Sequence, residues 1–143
     1  MLTDHGERLG TLKKLAQIQH ELVEDKAGAI DTYRQILTID QNDELAVSAL
    51  VNLYTERQNW YELLEMLQIQ RDFADDVDAL NRVDFRMAQI YLEQLEQPIE
   101  TLEILRSITS RSPRWEPALV TLESLLDQDS VREEVFTLLE QLY

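Results

Sequence analysis

Arg82 and Arg86 stand four residues apart in a stretch of helical periodicity, so both guanidiniums can face the same way. Two planar forks of donors on one face suit the holding of a carboxylate through paired hydrogen bonds. The same spacing also arises on a solvated helix face, where such charges pair within the chain. Other candidate chemistry falls short in specific ways. His20-Glu21-Leu22-Val23-Glu24 begins like a zinc-protease motif, but the second histidine, four residues on, is missing, and the metal needs both imidazoles on one face. The acidic run Asp72, Asp75, Asp76 and Asp78 lacks the mid-loop glycine and terminal bidentate glutamate of a calcium loop, and reads as a solvated joint. Gly6, Gly10 and Gly28 form no phosphate loop. There is no cysteine, so disulfides, thiolate zinc sites and Cys–His nucleophiles are excluded. No nucleophile elbow supports a serine nucleophile. These residues point away from an enzyme and call for neither a metal nor a cofactor.

The elements that must position these side chains are helices. Periodicity of the helical kind runs nearly from end to end. It predicts eight segments at 7–23, 27–39, 43–57, 60–73, 77–95, 98–110, 114–127 and 131–142. Three glycines and three prolines in 143 residues leave little turn material for strands. Asn59 with Glu62, and Ser130 with Glu133, have capping-box spacing. Pro98 suits a first helical turn. Asp40-Gln41-Asn42-Asp43 and Arg111-Ser112-Pro113-Arg114 read as turns. Trp60, Trp115, Tyr33, Tyr54 and Tyr91 have the positions of packing aromatics.

Copied onto itself with a shift of 72 residues, the chain aligns without a gap. Leu15-Ala16-Gln17-Ile18 falls on Met87-Ala88-Gln89-Ile90, Glu24 on Glu96, and Leu50 and Leu53 on Leu122 and Leu125. An isolated core has no need of such a register, whereas stacked units do. Pairing the helices gives units at about 7–41, 42–76, 77–113 and 114–143, within one domain spanning 1–143. Leu50 and Leu122 are expected between helices, fully packed.

In each first helix, apolar positions precede a small residue, as in Leu12-Leu15-Ala16, and the second helices carry a spacing of four then three, as in Ala29, Tyr33 and Ile36, where the first residue is small and the second aromatic. On these residues the chain resembles the tetratricopeptide repeat (TPR) family, best in Ala29-Ile30-Asp31-Thr32-Tyr33-Arg34-Gln35-Ile36-Leu37-Thr38-Ile39-Asp40. Gln19, Leu63 and Glu123 depart from the pattern, and Gln41 stands where the family closes on proline. The resemblance implies an all-α, right-handed α-solenoid of four antiparallel helix pairs, with first helices lining a concave groove for a peptide or helix. Some family members hold a ligand's C-terminal carboxylate with basic and amide side chains. That pattern falls here on Lys13, Gln17, Arg82 and Arg86; Ala49 replaces the expected asparagine, and Asn52 lies one turn away. Gln17, Asn52, Gln89 and Ser124 recur at matching register on the expected groove, with Lys13, His20, Ser48, Phe85, Leu92 and Val120 as variable neighbours.

The expected function is therefore a non-enzymatic protein-binding module whose partner carries an acidic or free C-terminus. A structural spacer or self-assembly segment of a larger scaffold is the second reading. A net charge of −15 repels nucleic acid and anionic membranes alike. No apolar run reaches the ~20 residues of a membrane span. The start lacks a secretory pattern, which makes the cytoplasm the expected compartment. Val135, Phe136, Leu138, Leu139, Leu142 and Tyr143 make the last helix apolar over more than one face. That suggests self-association there, or a segment of a longer repeat protein.

Overall fold

The computed structural model describes residues 2–22 and 24–143. Met1 and Val23 lie outside the described residues, Val23 being the expected end of the first helix and part of the His20–Glu24 motif. Among the described residues there are eight helices and no strand. Helix α1 (Leu2–Gln17) continues as a π-helical turn (Ile18–Leu22), and is followed by α2 (Lys26–Ile39), α3 (Glu44–Glu56) and α4 (Trp60–Arg71). Then come α5 (Val77–Gln89) with a second π turn (Ile90–Gln94), α6 (Pro98–Arg111), α7 (Glu116–Ser124) with a 3-10 turn (Leu125–Asp127), and α8 (Arg132–Leu142). The segments agree with the periodicity, except that α1 begins at Leu2 rather than at residue 7. The chain forms two compact units, one ending at Gln70 and the other running from Arg71 to Tyr143.

The units repeat each other at the 72-residue shift, including part of their irregularities, although the 3-10 turn Leu125–Asp127 has no counterpart in α3. Both π turns lie at matching positions, Ile18–Leu22 and Ile90–Gln94. Two residues after each stands a glutamate in the left-handed region, Glu24 at φ 54° and Glu96 at φ 52°. The amide of Asp25 then donates to the carbonyl of Gln19 at 2.7 Å, and that of Gln97 to Tyr91 at 2.8 Å. This resembles the usual left-handed helix closure, widened by the one residue that the π turn inserts. After the second helix the copies agree again: Asp40 bonds back to Ile36 and Ser112 to Ile108, both at 2.8 Å.

The copies differ in how the next helix starts. Asp25 caps α2, its carboxylate accepting from the Gly28 amide at 3.0 Å. A Cβ on Gly28 would lie 2.2 Å from that carboxylate, so a side chain there would oblige the Asp25 carboxylate to shift. In the second unit Pro98 at the first turn lacks the amide that would need a partner, and Gln97 makes no side-chain cap bond. Asp43 and Asp76 cap α3 and α5. The capping box expected at Ser130 does not form: Val131 takes that position, with no side-chain cap bond.

In the first unit α1 packs on α2 and α2 on α3. Ala16 and Ala29 are fully buried, as the small-residue pattern requires, and small side chains let the helix backbones approach. Tyr33, Ile36, Val47, Leu50, Leu53, Leu63 and Leu67 are buried as well. In the second unit α5 packs on α6, and α6, α7 and α8 on one another. Its core joins Ala88, Leu102, Leu105, Ile108, Ala118, Leu122, Leu125, Val131, Val135, Leu138 and Leu139. Thr101 takes the place of Ala29, fully buried, and its hydroxyl donates to the Gln97 carbonyl at 2.9 Å. Leu50 and Leu122 are fully buried, whereas Leu15 is exposed and Trp60, Tyr91 and Trp115 are half-buried.

Candidate functional site

A cleft of about 340 Å³ opens on the first unit, near the lower size of small-ligand pockets. Lys13, Lys14, Gln17 and Glu21 line it from α1 and its π turn, Tyr33 and Ile36 from α2, and Asp43, Leu45 and Ala46 from the start of α3. Tyr33, Ile36 and Ala46 are buried and form an apolar floor, while Leu45 is exposed at the rim. Burial pushes the Tyr33 phenol above its ordinary value, and the nearby charge of Glu21 adds to this.

The polar wall has its own order. Lys13 Nζ lies 2.9 Å from Asp43 Oδ2, and the other Asp43 oxygen accepts from the Ala46 amide at 3.0 Å. Burial alone would raise the Asp43 carboxyl. The hydrogen bonds from Lys13 and from the Ala46 and Leu45 amides, together with the Lys13 charge, outweigh it and hold the group below its usual value. Gln17 Nε2 donates to Glu21 Oε2 at 3.3 Å. Lys14 is exposed and forms no ion pair among the described residues. The cleft thus offers one uncommitted ammonium beside an apolar floor. Such a surface suits a carboxylate with apolar neighbours.

Of the residues picked out from the sequence, Lys13 and Gln17 meet in this cleft. His20 is half-buried with its ring edge-on to Tyr33, 6.2 Å between centroids. Ser48 and Asn52 are exposed on α3. In the second unit Arg82 is exposed and pairs with Asp78 one turn earlier. Arg86 is half-buried, Gln89 exposed, and Phe85 edge-on to Trp115 at 5.3 Å. The Ser124 hydroxyl turns back onto its own helix, donating to the Thr121 carbonyl at 2.6 Å. The acidic joint serves α5: Asp76 accepts from the Ala79 amide at 2.7 Å, and Asp78 holds Arg82. Among the described residues no three metal-ligating side chains converge, and no helix is long and apolar enough to cross a membrane.

Sequence reasoning missed a buried polar cluster in the second unit. Asp84 is buried on α5, where Arg71 Nε donates to its Oδ1 at 2.6 Å and Arg111 Nη2 to its Oδ2 at 2.6 Å. Arg111 Nε also donates to Asn81 Oδ1 at 3.2 Å, and Asn81 Nδ2 donates to the Ser112 hydroxyl at 2.9 Å. The repeat held the signal: Asp84 and Asn81 occupy the positions of Leu12 and Leu9. Polar residues at apolar register positions mark an internal network.

No protein-family profile matches the chain, and no curated protein matches it.

Proposed function

We propose that this chain is a non-enzymatic protein-interaction module built of TPR-like helix pairs, in the right-handed solenoid that the resemblance implies. Its first-unit cleft receives a peptide through a carboxylate. The observation that carries this reading is the cleft itself, where Lys14 stands uncommitted above Tyr33, Ile36 and Ala46. Lys13 contributes less direct charge, being neutralised by Asp43, and instead fixes the wall of the cleft. Gln17 supplies an amide that can exchange its weak 3.3 Å bond to Glu21 for a ligand's backbone. The 72-residue repeat supports the helical-repeat part of the reading, because it reproduces the π turns and the left-handed closures after them as well as apolar positions.

The test uses fluorescent peptides with apolar C-terminal residues, each made as the free acid and as the amide. Fluorescence anisotropy should show several-fold tighter binding of the acid, a preference that falls with added salt and is lost in Lys14→Glu. Equal binding of acid and amide, or an unaltered preference in Lys14→Glu, would refute the proposed carboxylate site.

A further inference from the structure

The first-unit cleft carries charges of both signs, and only some of them are committed. Lys13 and Asp43 neutralise each other at 2.9 Å across its wall. Lys14 and Glu21 are exposed, and neither forms an ion pair among the described residues. Among those residues the Glu21 carboxylate accepts only the 3.3 Å bond from Gln17. Lys14, Gln17 and Glu21 stand three and then four residues apart, so one helix face carries the amide between two opposite charges. All three line the cleft. Seven residues of rise set the two charges roughly 10 Å apart along the helix. Exposed Glu7 lies on the same face, two turns before Lys14, but outside the cleft.

The same row recurs in the second unit as Arg86, Gln89 and Glu93, with both glutamates inside the π turns. What lies beneath it differs. Phe85 and Trp115 stack edge-on at the positions of Lys13 and Asp43, and Leu105 takes the place of Tyr33. A cation, an amide and an acid thus keep their order while the packing below them changes. The net charge of −15 adds a second constraint, because it slows the approach of an acidic ligand and favours a basic one. The field of Glu21 already reaches the cleft floor, where it helps to raise the Tyr33 phenol.

We propose that the peptide received by the first-unit cleft is basic, with a lysine or arginine two or three residues before its C-terminal residue, and that Glu21 selects it. This rests on the carboxylate reading of the cleft. With the terminal carboxylate at Lys14, an extended chain advances ~3.3–3.6 Å per residue, so three residues span the roughly 10 Å to Glu21. The peptide runs with its C-terminus toward the start of α1. Gln17 lies between, where its amide turns from Glu21 to the peptide backbone, and Glu21 exchanges that long bond for a charge-assisted one.

The experiment measures fluorescence anisotropy with peptides of one composition and one apolar C-terminal residue, carrying a single lysine either three or six residues before the end. Each is made as the acid and as the amide. The chain should bind the first acid about two- to fivefold more tightly than the second, as an exposed ion pair allows, and added salt should shrink the difference. Glu21→Gln should abolish that positional preference and keep the preference for acid over amide. Glu7→Gln removes the same charge outside the cleft and should leave both preferences intact. Glu21→Lys should reverse the sign, favouring glutamate over lysine at the third position, a gain that an unfolded variant could not show. A positional preference that is absent, that survives in Glu21→Gln, or that Glu7→Gln abolishes equally would overturn the inference and leave the carboxylate reading standing. Acid and amide bound alike would refute that reading, and the inference with it.

Discussion

Replacing Asp84 by alanine should destabilise the second unit by about 1.5–3 kcal/mol. The carboxylate is only 6% exposed and receives two short guanidinium bonds of 2.6 Å, one from Arg71 and one from Arg111, with a longer third contact of 3.4 Å from Arg71. Hydrogen bonds to charged groups contribute ~1.5–3 kcal/mol each, so the two short ones give ~3–6 kcal/mol before any relaxation. Both arginines are partly exposed and regain water once the carboxylate is gone, which returns about half of that loss. Asn81 keeps its bond to Ser112 but loses the rigid Arg111 against which it is aligned. The assay is urea unfolding followed by Trp115 fluorescence in a Trp60→Phe background, so that only the second unit reports. The midpoint should fall with little change in slope. Asp84→Leu, which copies the residue at this register in the first unit, should recover packing but not the arginines' partner, and should land between wild type and Asp84→Ala. A loss below ~1 kcal/mol in Asp84→Ala would show that the network is surface-like, and that the arithmetic above overvalues it.

Two further outcomes follow from local geometry. Glu96→Gly should stabilise the chain by ~0.5–1 kcal/mol, because glycine accepts the left-handed φ of 52° at no steric cost, while Glu96→Ala keeps the Cβ and should leave the thermal midpoint unchanged. Asp43→Ala should cost ~1–2 kcal/mol at neutral pH by removing the α3 cap and the Lys13 pair. Since the folded-state carboxyl lies below its ordinary value, its contribution is present above the unfolded pKa of about 4 and is lost as pH falls through the folded value. The thermal difference between this variant and wild type should therefore shrink between pH 5 and about pH 2, and a pH-independent difference would contradict the linkage.

Much of the fold was legible because its determinants are local. Eight helical segments follow from apolar spacing, and two of their joints from the turn residues at 40–43 and 111–114, whereas the acids that cap α2, α3 and α5 were not read as caps. The small residues at Ala16, Ala29 and Ala88 marked where helices approach closely, and these positions are buried. Lys13 and Gln17 were legible as neighbours because one helix turn separates them. The rest of their cleft was not. Asp43 lies 30 residues from Lys13, and only packing of α1, α2 and α3 brings the two to 2.9 Å. The π turns also escaped periodicity, since they are slips of backbone hydrogen bonding that leave the side-chain pattern almost unaltered.

By itself, then, the sequence determined an all-helical chain and a 72-residue repeat, because helix propensity and apolar register act over a few residues at a time. Tertiary structure alone decided which members of that register are covered. Leu15 and Met87 are equally apolar, yet one is exposed and the other buried. Asp84 looks like a solvated acid until residues 13 before and 27 after it converge on its carboxylate. Hydrophobicity is a property of the residue, whereas burial and ion pairing depend on whatever the rest of the chain places against it.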